Sequence, residues 1–389
     1  MIKHPLGIVG VLLLIEIMIL YLSGHPHYKR FFKFLPAVFW IYFLPMVTST
    51  MGFIDSQASV YGVISKNFLP ASLFLLLLCV DVKAIFKLGP SALAMMLAGS
   101  FGIMLGTVVV FVLFKDVVGT QMWSGFGALS GSWTGGSANM IAVKEALGTP
   151  DQVFLPMVIV DTIVPYIWMG TLVALVGLQP IYDRWNRCDR QVLEDLTRRI
   201  KGMMSVRKEK NHFFVTIFIL IFAFLGGFAA TSAARLLPEV KDVISMYAWT
   251  IILVSVLGLL FSFTPARRLE EYGSTRIGYF LLYFVLTSIG AKASLAHIGS
   301  ALILIVAGFL IVFIHLAVLI GVARLIRAPL FLVAVASQAN IGGVASAPIV
   351  AEVYQPGLAS VGLLLAILGG IIGTYLGLLV GQICHLIAG

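Results

Sequence analysis

The chain has 389 residues, of which 60% are hydrophobic and only 11% charged, with a mean hydropathy of +1.04. A soluble domain carries about 25% charged residues and lacks repeated apolar runs of about 20 residues, so the composition excludes a soluble fold and predicts an all-α polytopic membrane protein. The net charge of +9 is what Lys and Arg in cytoplasmic loops would give, and it lends no support to a nucleic-acid partner.

Twelve apolar runs follow one another, at 5–23, 35–52, 61–80, 90–114, 122–147, 152–178, 212–234, 243–264, 276–290, 299–323, 329–353 and 358–387. Each is near the roughly 20 residues a helix needs to cross about 30 Å of hydrocarbon. None alternates with period 2 as a barrel strand would. The first run follows "MIKHP" and ends at "YLSGHPHYKR" with no small-x-small cleavage pattern, so it reads as a retained helix rather than a signal peptide. Glu16 within it is expected to face a neighbouring helix. The short run 35–52 is the one suspected of being re-entrant or peripheral. Cys79, Cys188 and Cys384 stand far apart without CxxC or Cys/His spacing, which indicates neither a disulfide framework nor a metal site.

The fifth run, 122–147, turns small and polar at its centre, "SGSWTGGSANM". Unwound chain survives in lipid only where it is buried in protein or lines a wet cavity. The pair Gly135-Gly136 weakens the helix, and the freed backbone groups, with Ser130, Ser132, Thr134, Ser137 and Asn139, form a candidate coordinating shell for an ion or solute. The competing reading is that small residues serve a close helix–helix contact. Glu145 lies nine residues beyond the second glycine, about 13 Å along a helix, as a candidate gate or a solvated end.

The sixth run carries Asp161 and Thr162 in "PMVIVDTIVPYIW". An acid at mid-depth costs about 2.5–3.5 kcal/mol on insertion scales, which makes function its default reading. A protonated Asp161 bonded to Thr162 or to a neighbouring helix is the structural alternative. Pro165 lacks a backbone donor and frees a carbonyl at similar depth. The polar stretch 179–211 follows, with nine Lys/Arg against five Asp/Glu. It reads as a basic cytoplasmic linker between a first repeat, 1–178, and a second, 212–389.

In the second half "SQANIGGVASAPIVA" supplies Ser337, Gln338, Asn340, Gly342, Gly343 and Ser346 within the run 329–353. An offset of about 207 residues lays Gly342-Gly343 on Gly135-Gly136, Ser346 on Asn139 and Glu352, the second candidate gate, on Glu145. The same comparison lays Lys292 on Lys83. Paired interrupted helices in two halves point to a transporter site. The counterpart of Asp161 falls in "ILGGIIG", which has no acid. His315, in "IVFIHLAVLI", reads as a proton relay or as a satisfied packing residue.

The stretches "PAVFWIYFLPM", "FLPASLFLLLLCVDVKAIFKLGP", "GSWTGGSANM" with "DTIVPYIW", and "SQANIGGVASAPIVA" resemble the membrane family called domain of unknown function 819, over nearly the whole chain. That family looks like a member of the group holding cation/proton antiporters and bile-acid sodium symporters. The resemblance implies two repeats of five to six transmembrane helices, inverted in the membrane. It also implies two discontinuous crossing helices, about 121–147 and 329–353, and a core domain moving against a panel domain. Six runs per half would instead make the repeats parallel. Inversion therefore requires one run to be re-entrant or two to form one bent element.

The function expected is an ion-coupled (Na+ or H+) secondary transporter of a small polar or anionic organic solute. No cofactor is expected; where the coupling ion is Na+, it would bind at Asp161 and the broken-helix carbonyls. A cation/proton antiporter without organic substrate and a non-transporting membrane scaffold remain as alternatives. An enzyme is not expected, because HExxH, GxSxG and GxxxxGK[ST] patterns are not found. The partners expected are an ion or small molecule and the lipid bilayer, with a homodimer admitted. The location expected is a bacterial inner or plasma membrane.

Overall fold

The computed structural model describes residues 1–28, 31–32, 37–188, 198, 213–238, 245–292 and 301–389. These residues are helical, with an isolated bridge between Ile2 and Ile54 in place of any strand. The helices are α1 (Pro5–Gly24), α2 (Ala37–Thr50), α3 (Val60–Leu78), α4 (Val82–Phe86), α5 (Pro90–Val118), α6 (Trp123–Gly135), α7 (Ser137–Ala146), α8 (Asp151–Ala174) and α9 (Gln179–Asn186). After the basic stretch come α10 (Phe213–Ala234), α11 (Met246–Ser262), α12 (Ser274–Lys292), α13 (Ala301–Ile326), α14 (Leu330–Ile341), α15 (Gly343–Tyr354) and α16 (Ala359–Ala388).

Seven helices among the described residues are long and apolar enough to cross a bilayer, or eight if α11 and the bent 3-10 helix Pro265–Tyr272 make one span. The twelve apolar runs thus do not become twelve equivalent spanning helices among the described residues. Among the described residues the run 35–52 gives the 14-residue α2, with Pro45 inside it. The runs 122–147 and 329–353 each divide into two short helices. The run 276–290 becomes α12, which carries the charged Arg276 in its first turn and ends at Lys292. Hydropathy reports the solvent a segment tolerates; it does not report where the helix is cut.

The chain forms two compact units, and each half of the sequence contributes to both. The first unit holds Met1–Val80, Glu145–Thr162 and Lys208–Ala301; the second holds Asp81–Lys144, Ile163–Arg207 and Leu302–Gly389. In the first unit α3 packs against α10, α11 and α12. Apolar packing between helices gains little from lipid exclusion, so small residues that permit close approach decide where helices meet. Gly226 of α10 is one: a Cβ there would stand 2.8 Å from the Phe74 ring. Gly258 of α11 is another, with 2.9 Å to the Phe74 carbonyl oxygen. Lys292 pairs with Asp151 at 3.3 Å. Glu16 is buried in α1 as expected of a helix-facing residue, but both its carboxylate oxygens lack a partner among the described residues.

In the second unit the same device recurs. A Cβ on Gly102 of α5 would reach the Cα of His315 on α13 at 2.9 Å, and one on Gly106 would reach the Ile311 carbonyl at 3.0 Å. The long α16 lies along α6, with Gly373 and Gly377 set so that a Cβ would come 2.9 Å from Gly135 Cα and 2.7 Å from Gly131 Cα.

The start of the polar stretch 179–211 is not loose linker. It forms α9, which continues from α8 through a 3-10 turn as one 36-residue span. Asp183 of α9 accepts from the Leu330 backbone N–H at 2.8 Å, next to the start of α14. Asn186 donates to the carbonyls of Ala323 and Ala328 at 3.0 and 2.8 Å. Residues 189–197 and 199–211 of that stretch lie outside the described residues.

Candidate functional site

The first interruption falls at Gly136, between α6 and α7. Its φ of 91° with ψ of 178° lies in a region essentially confined to glycine. Here the chain leaves one helix and starts the next without a loop. Its N–H still bonds back to the Ser132 carbonyl at 2.6 Å, and its own carbonyl accepts from Asn139 and Met140 N–H groups of α7.

Asn139 spans this break. Its Nδ2 donates to the Gly135 carbonyl at 2.7 Å, covering an acceptor that the end of α6 would otherwise leave open. Its Oδ1 accepts from Thr374 Oγ1 of α16 at 2.5 Å. The side chain therefore ties α6, α7 and α16 at one point, and it is buried.

The second interruption falls at Gly342-Gly343, between α14 and α15. Gly343 has φ of 61°, the left-handed region that side chains resist. A buried amide again crosses the gap. Gln338 Nε2, on α14, donates to Ser346 Oγ on α15 at 2.7 Å and more weakly to the Pro165 carbonyl of α8 at 3.4 Å. Gln338 Oε1 is buried without a hydrogen-bond partner among the described residues, an acceptor left open beside a helix break.

The two breaks meet. A Cβ on Gly343 would lie 3.9 Å from Gly136 Cα, while one on Gly136 would touch nothing within 4 Å. The helix N-termini at Ser137 and Gly343 therefore adjoin, and each presents backbone N–H groups without intrahelical partners. Helix N-termini carry partial positive charge and favour anionic groups. Ser137 is half-buried at this place.

The remaining candidate residues distribute unevenly. Ser130, Ser132 and Thr134 are buried in the body of α6. Thr134 Oγ1 turns back to the Ser130 carbonyl at 2.9 Å, whereas Ser130 Oγ has no partner among the described residues. Asn340 serves packing: its Oδ1 accepts from Ser100 Oγ at 2.9 Å, and its Nδ2 donates to the Ala336 and Met96 carbonyls at 2.9 and 3.3 Å. Ser337 is tied to Trp168 Nε1 at 2.9 Å and to His315 Nε2 at 3.0 Å.

The His315 tautomer follows from its neighbours. Nδ1 faces the Gly99 carbonyl at 2.8 Å, which can only accept. A neutral ring therefore donates through Nδ1 and receives the Ser337 hydroxyl proton at Nε2, while Ser337 receives from Trp168. Every partner in this series is used. This matches the packing reading of His315.

Asp161 and Thr162 lie on α8 in the first unit, both half-buried. Thr162 Oγ1 bonds to the Val158 carbonyl at 2.8 Å rather than being left open. Pro165, one turn further along α8, lacks the N–H that would take up the Asp161 carbonyl. Glu145 is half-buried at the end of α7. Glu352 is exposed near the end of α15 and accepts from the Gly357 N–H at 3.0 Å, which braces the following turn.

Sequence reasoning missed Thr374, Trp168 and the α16 glycines. The last had a readable signal, small residues four apart at Gly369, Gly373 and Gly377. Among the described residues no three His, Cys, Asp or Glu gather as a metal cluster.

The model of the family described as protein of unknown function DUF819 matches residues 10–387. A relative, the uncharacterized membrane protein YjcL of Bacillus subtilis (strain 168), is 24% identical over 348 residues, covering 87% of each chain. The chain belongs to the DUF819 family and is an integral, multi-pass membrane protein.

Proposed function

We propose that this DUF819 member is a secondary transporter coupled to Na+ or H+, carrying a small polar or anionic organic solute by movement of the unit that holds the breaks. One observation carries the reading: two helices are cut at glycines, and the cuts adjoin, since a Cβ on Gly343 would lie 3.9 Å from Gly136 Cα. Interrupted backbone at membrane depth is tolerated only where it is buried in protein or lines a wet cavity, and paired interruptions in two halves point to a transport site. The adjoining N-termini of α7 and α15 suit an anionic group, and the open Gln338 Oε1 suits a donor or a cation. Asp161 is the coupling acid in this proposal, binding Na+ or a proton, because it is the acid carried inside the long apolar α8.

The test is flux in proteoliposomes under an imposed Na+ or proton gradient, with a panel of mono- and dicarboxylates as probes. Gradient-driven uptake by the native chain and its loss in Asp161→Asn, with folding retained, is the expected result. Exchange of cations for protons without uptake of any organic solute would favour the antiporter.

The scaffold reading has one observation in its favour: α16 presses Gly373 and Gly377 against Gly135 and Gly131. That contact accounts for Gly135, Gly131 and the bearing of α6. It does not account for Gly136, whose missing side chain would meet open space.

A further inference from the structure

The second unit contains a cavity of about 340 Å³ whose wall, unlike the surroundings of the helix breaks, is apolar. Trp168 and Leu172 of α8, Leu316 and Ile320 of α13, and Val333 of α14 line it, and Trp185 of α9 stands at one end. Its volume is that of a small-molecule site, but sites for polar solutes place a few polar groups to fix orientation. The polar atoms of this wall are few and mostly engaged, Trp168 Nε1 with Ser337 Oγ and Tyr354 Oη with the Leu172 carbonyl, and the Tyr182 hydroxyl is buried without a partner among the described residues. The surface left for a ligand is almost wholly apolar and suits an alkyl chain.

Charge lies where a headgroup would follow. On α13, Arg324 comes one turn after the wall residue Ile320, and Arg327 follows that helix. Arg184 on α9 and Arg187 just past its end lie on either side of Trp185 in the chain, and all four arginines are exposed. Arg324 stacks over the Trp185 ring at 4.7 Å and donates from Nη1 to the Trp185 carbonyl at 2.7 Å, which fixes its guanidinium at the end of the cavity. The carboxylate in this segment, Asp183, is engaged by the Leu330 N–H. An apolar slot, an exposed Trp, the fixed Arg324 and three further exposed arginines near it or near Trp185 in the chain match the layers of a lipid, from tail through interface to anionic head.

We propose that this cavity is a site for one anionic phospholipid of the surrounding bilayer, an acyl chain occupying the apolar cavity and the phosphate resting on Arg324 and its neighbouring arginines. The site is separate from the transport proposal and stands whether or not that proposal does. Bound there, the lipid would brace α9 against the α13–α14 connection, where Asn186 already holds the Ala323 and Ala328 carbonyls.

The experiment uses the full-length protein, delipidated in nonionic detergent and titrated with dioleoyl phosphatidylglycerol, dioleoyl phosphatidylcholine or inorganic phosphate. Binding is read by native mass spectrometry and by thermal unfolding. One phosphatidylglycerol should bind and raise the unfolding temperature, phosphatidylcholine should bind about tenfold more weakly, and phosphate should have no effect. Leu316→Trp, which fills the cavity, should weaken phosphatidylglycerol binding by about tenfold or more. The surface variant Arg184→Gln/Arg327→Gln, which leaves the cavity untouched, should abolish the preference over phosphatidylcholine. Equal binding of the two lipids, an unaltered preference in the arginine variant, or stabilisation by phosphate alone would overturn the proposal.

Discussion

Gly136 and Gly343 adjoin where their helices are cut: a Cβ on Gly343 would lie 3.9 Å from the Gly136 Cα atom. Both hold positive φ, 91° and 61°. The contact joins positions about 207 residues apart in the chain, and it brings two helix N-termini to one place.

Gly136→Ala isolates the conformational requirement, since the added methyl meets nothing within 4 Å. With φ near 91° and ψ near 178°, an L side chain should cost about 1–3 kcal/mol. A lowered unfolding temperature with intact membrane insertion is the expected outcome. A variant as stable as the native chain would mean that the break does not need this backbone.

Gly373→Ala probes packing instead. The methyl would stand 2.9 Å from Gly135 backbone atoms, so α16 must move away from α6. A loss of about 1–3 kcal/mol is expected from overpacking, read as thermal unfolding in detergent. An unchanged value would show that α16 has room to shift.

Thr374→Val removes the hydroxyl that Asn139 Oδ1 accepts while keeping the shape. A buried acceptor left unpaired costs about 1–3 kcal/mol. The expected readout is a lower unfolding temperature, partly recovered by Thr374→Ser. Equal stability of native and valine forms would remove Thr374 as the anchor of Asn139.

These contacts mark what the sequence could and could not express. The apolar runs and the glycine pairs were legible because lipid penalises every unpaired backbone group, so an interruption must be written in small and polar residues. The number of crossings was not, since an apolar run does not show where its helix is cut: 122–147 and 329–353 each divide into two short helices, and α12 takes in Arg276 and Lys292. Thr374 was illegible for another reason: its partner Asn139 is 235 residues away, and hydropathy holds no record of register between helices. Ser337 and Asn340 looked like open ligands by residue type, yet their bonds run to Trp168, His315, Ser100 and Met96. Only packing could have told them from Gln338.

Cys188 gives a test on the pH axis. Burial, with the neighbouring Asp183 carboxylate adding to it, pushes its thiol up to about 11. The thiolate is the reactive form, so at pH 8 only about one thiol in a thousand is ionised. Alkylation at Cys188, followed by peptide mass spectrometry, should be slow at pH 7–8 and rise steadily to pH 10. Asp183→Asn should speed it, because the like charge is removed. Rapid alkylation at pH 7 that is flat with pH would show the thiol to be unperturbed.

Gradient-driven uptake by Gln338→Leu tests the adjoining breaks most directly, because this change removes the amide that crosses the second break without touching either glycine pair. Reconstituted native chain should accumulate a carboxylate under a Na+ or proton gradient, and Gln338→Leu of the same fold and orientation should lose at least about nine-tenths of that uptake, as expected when a group is lost that contributes about 1.4 kcal/mol or more to binding. Undiminished uptake in Gln338→Leu would contradict the placement of solute or ion at the breaks.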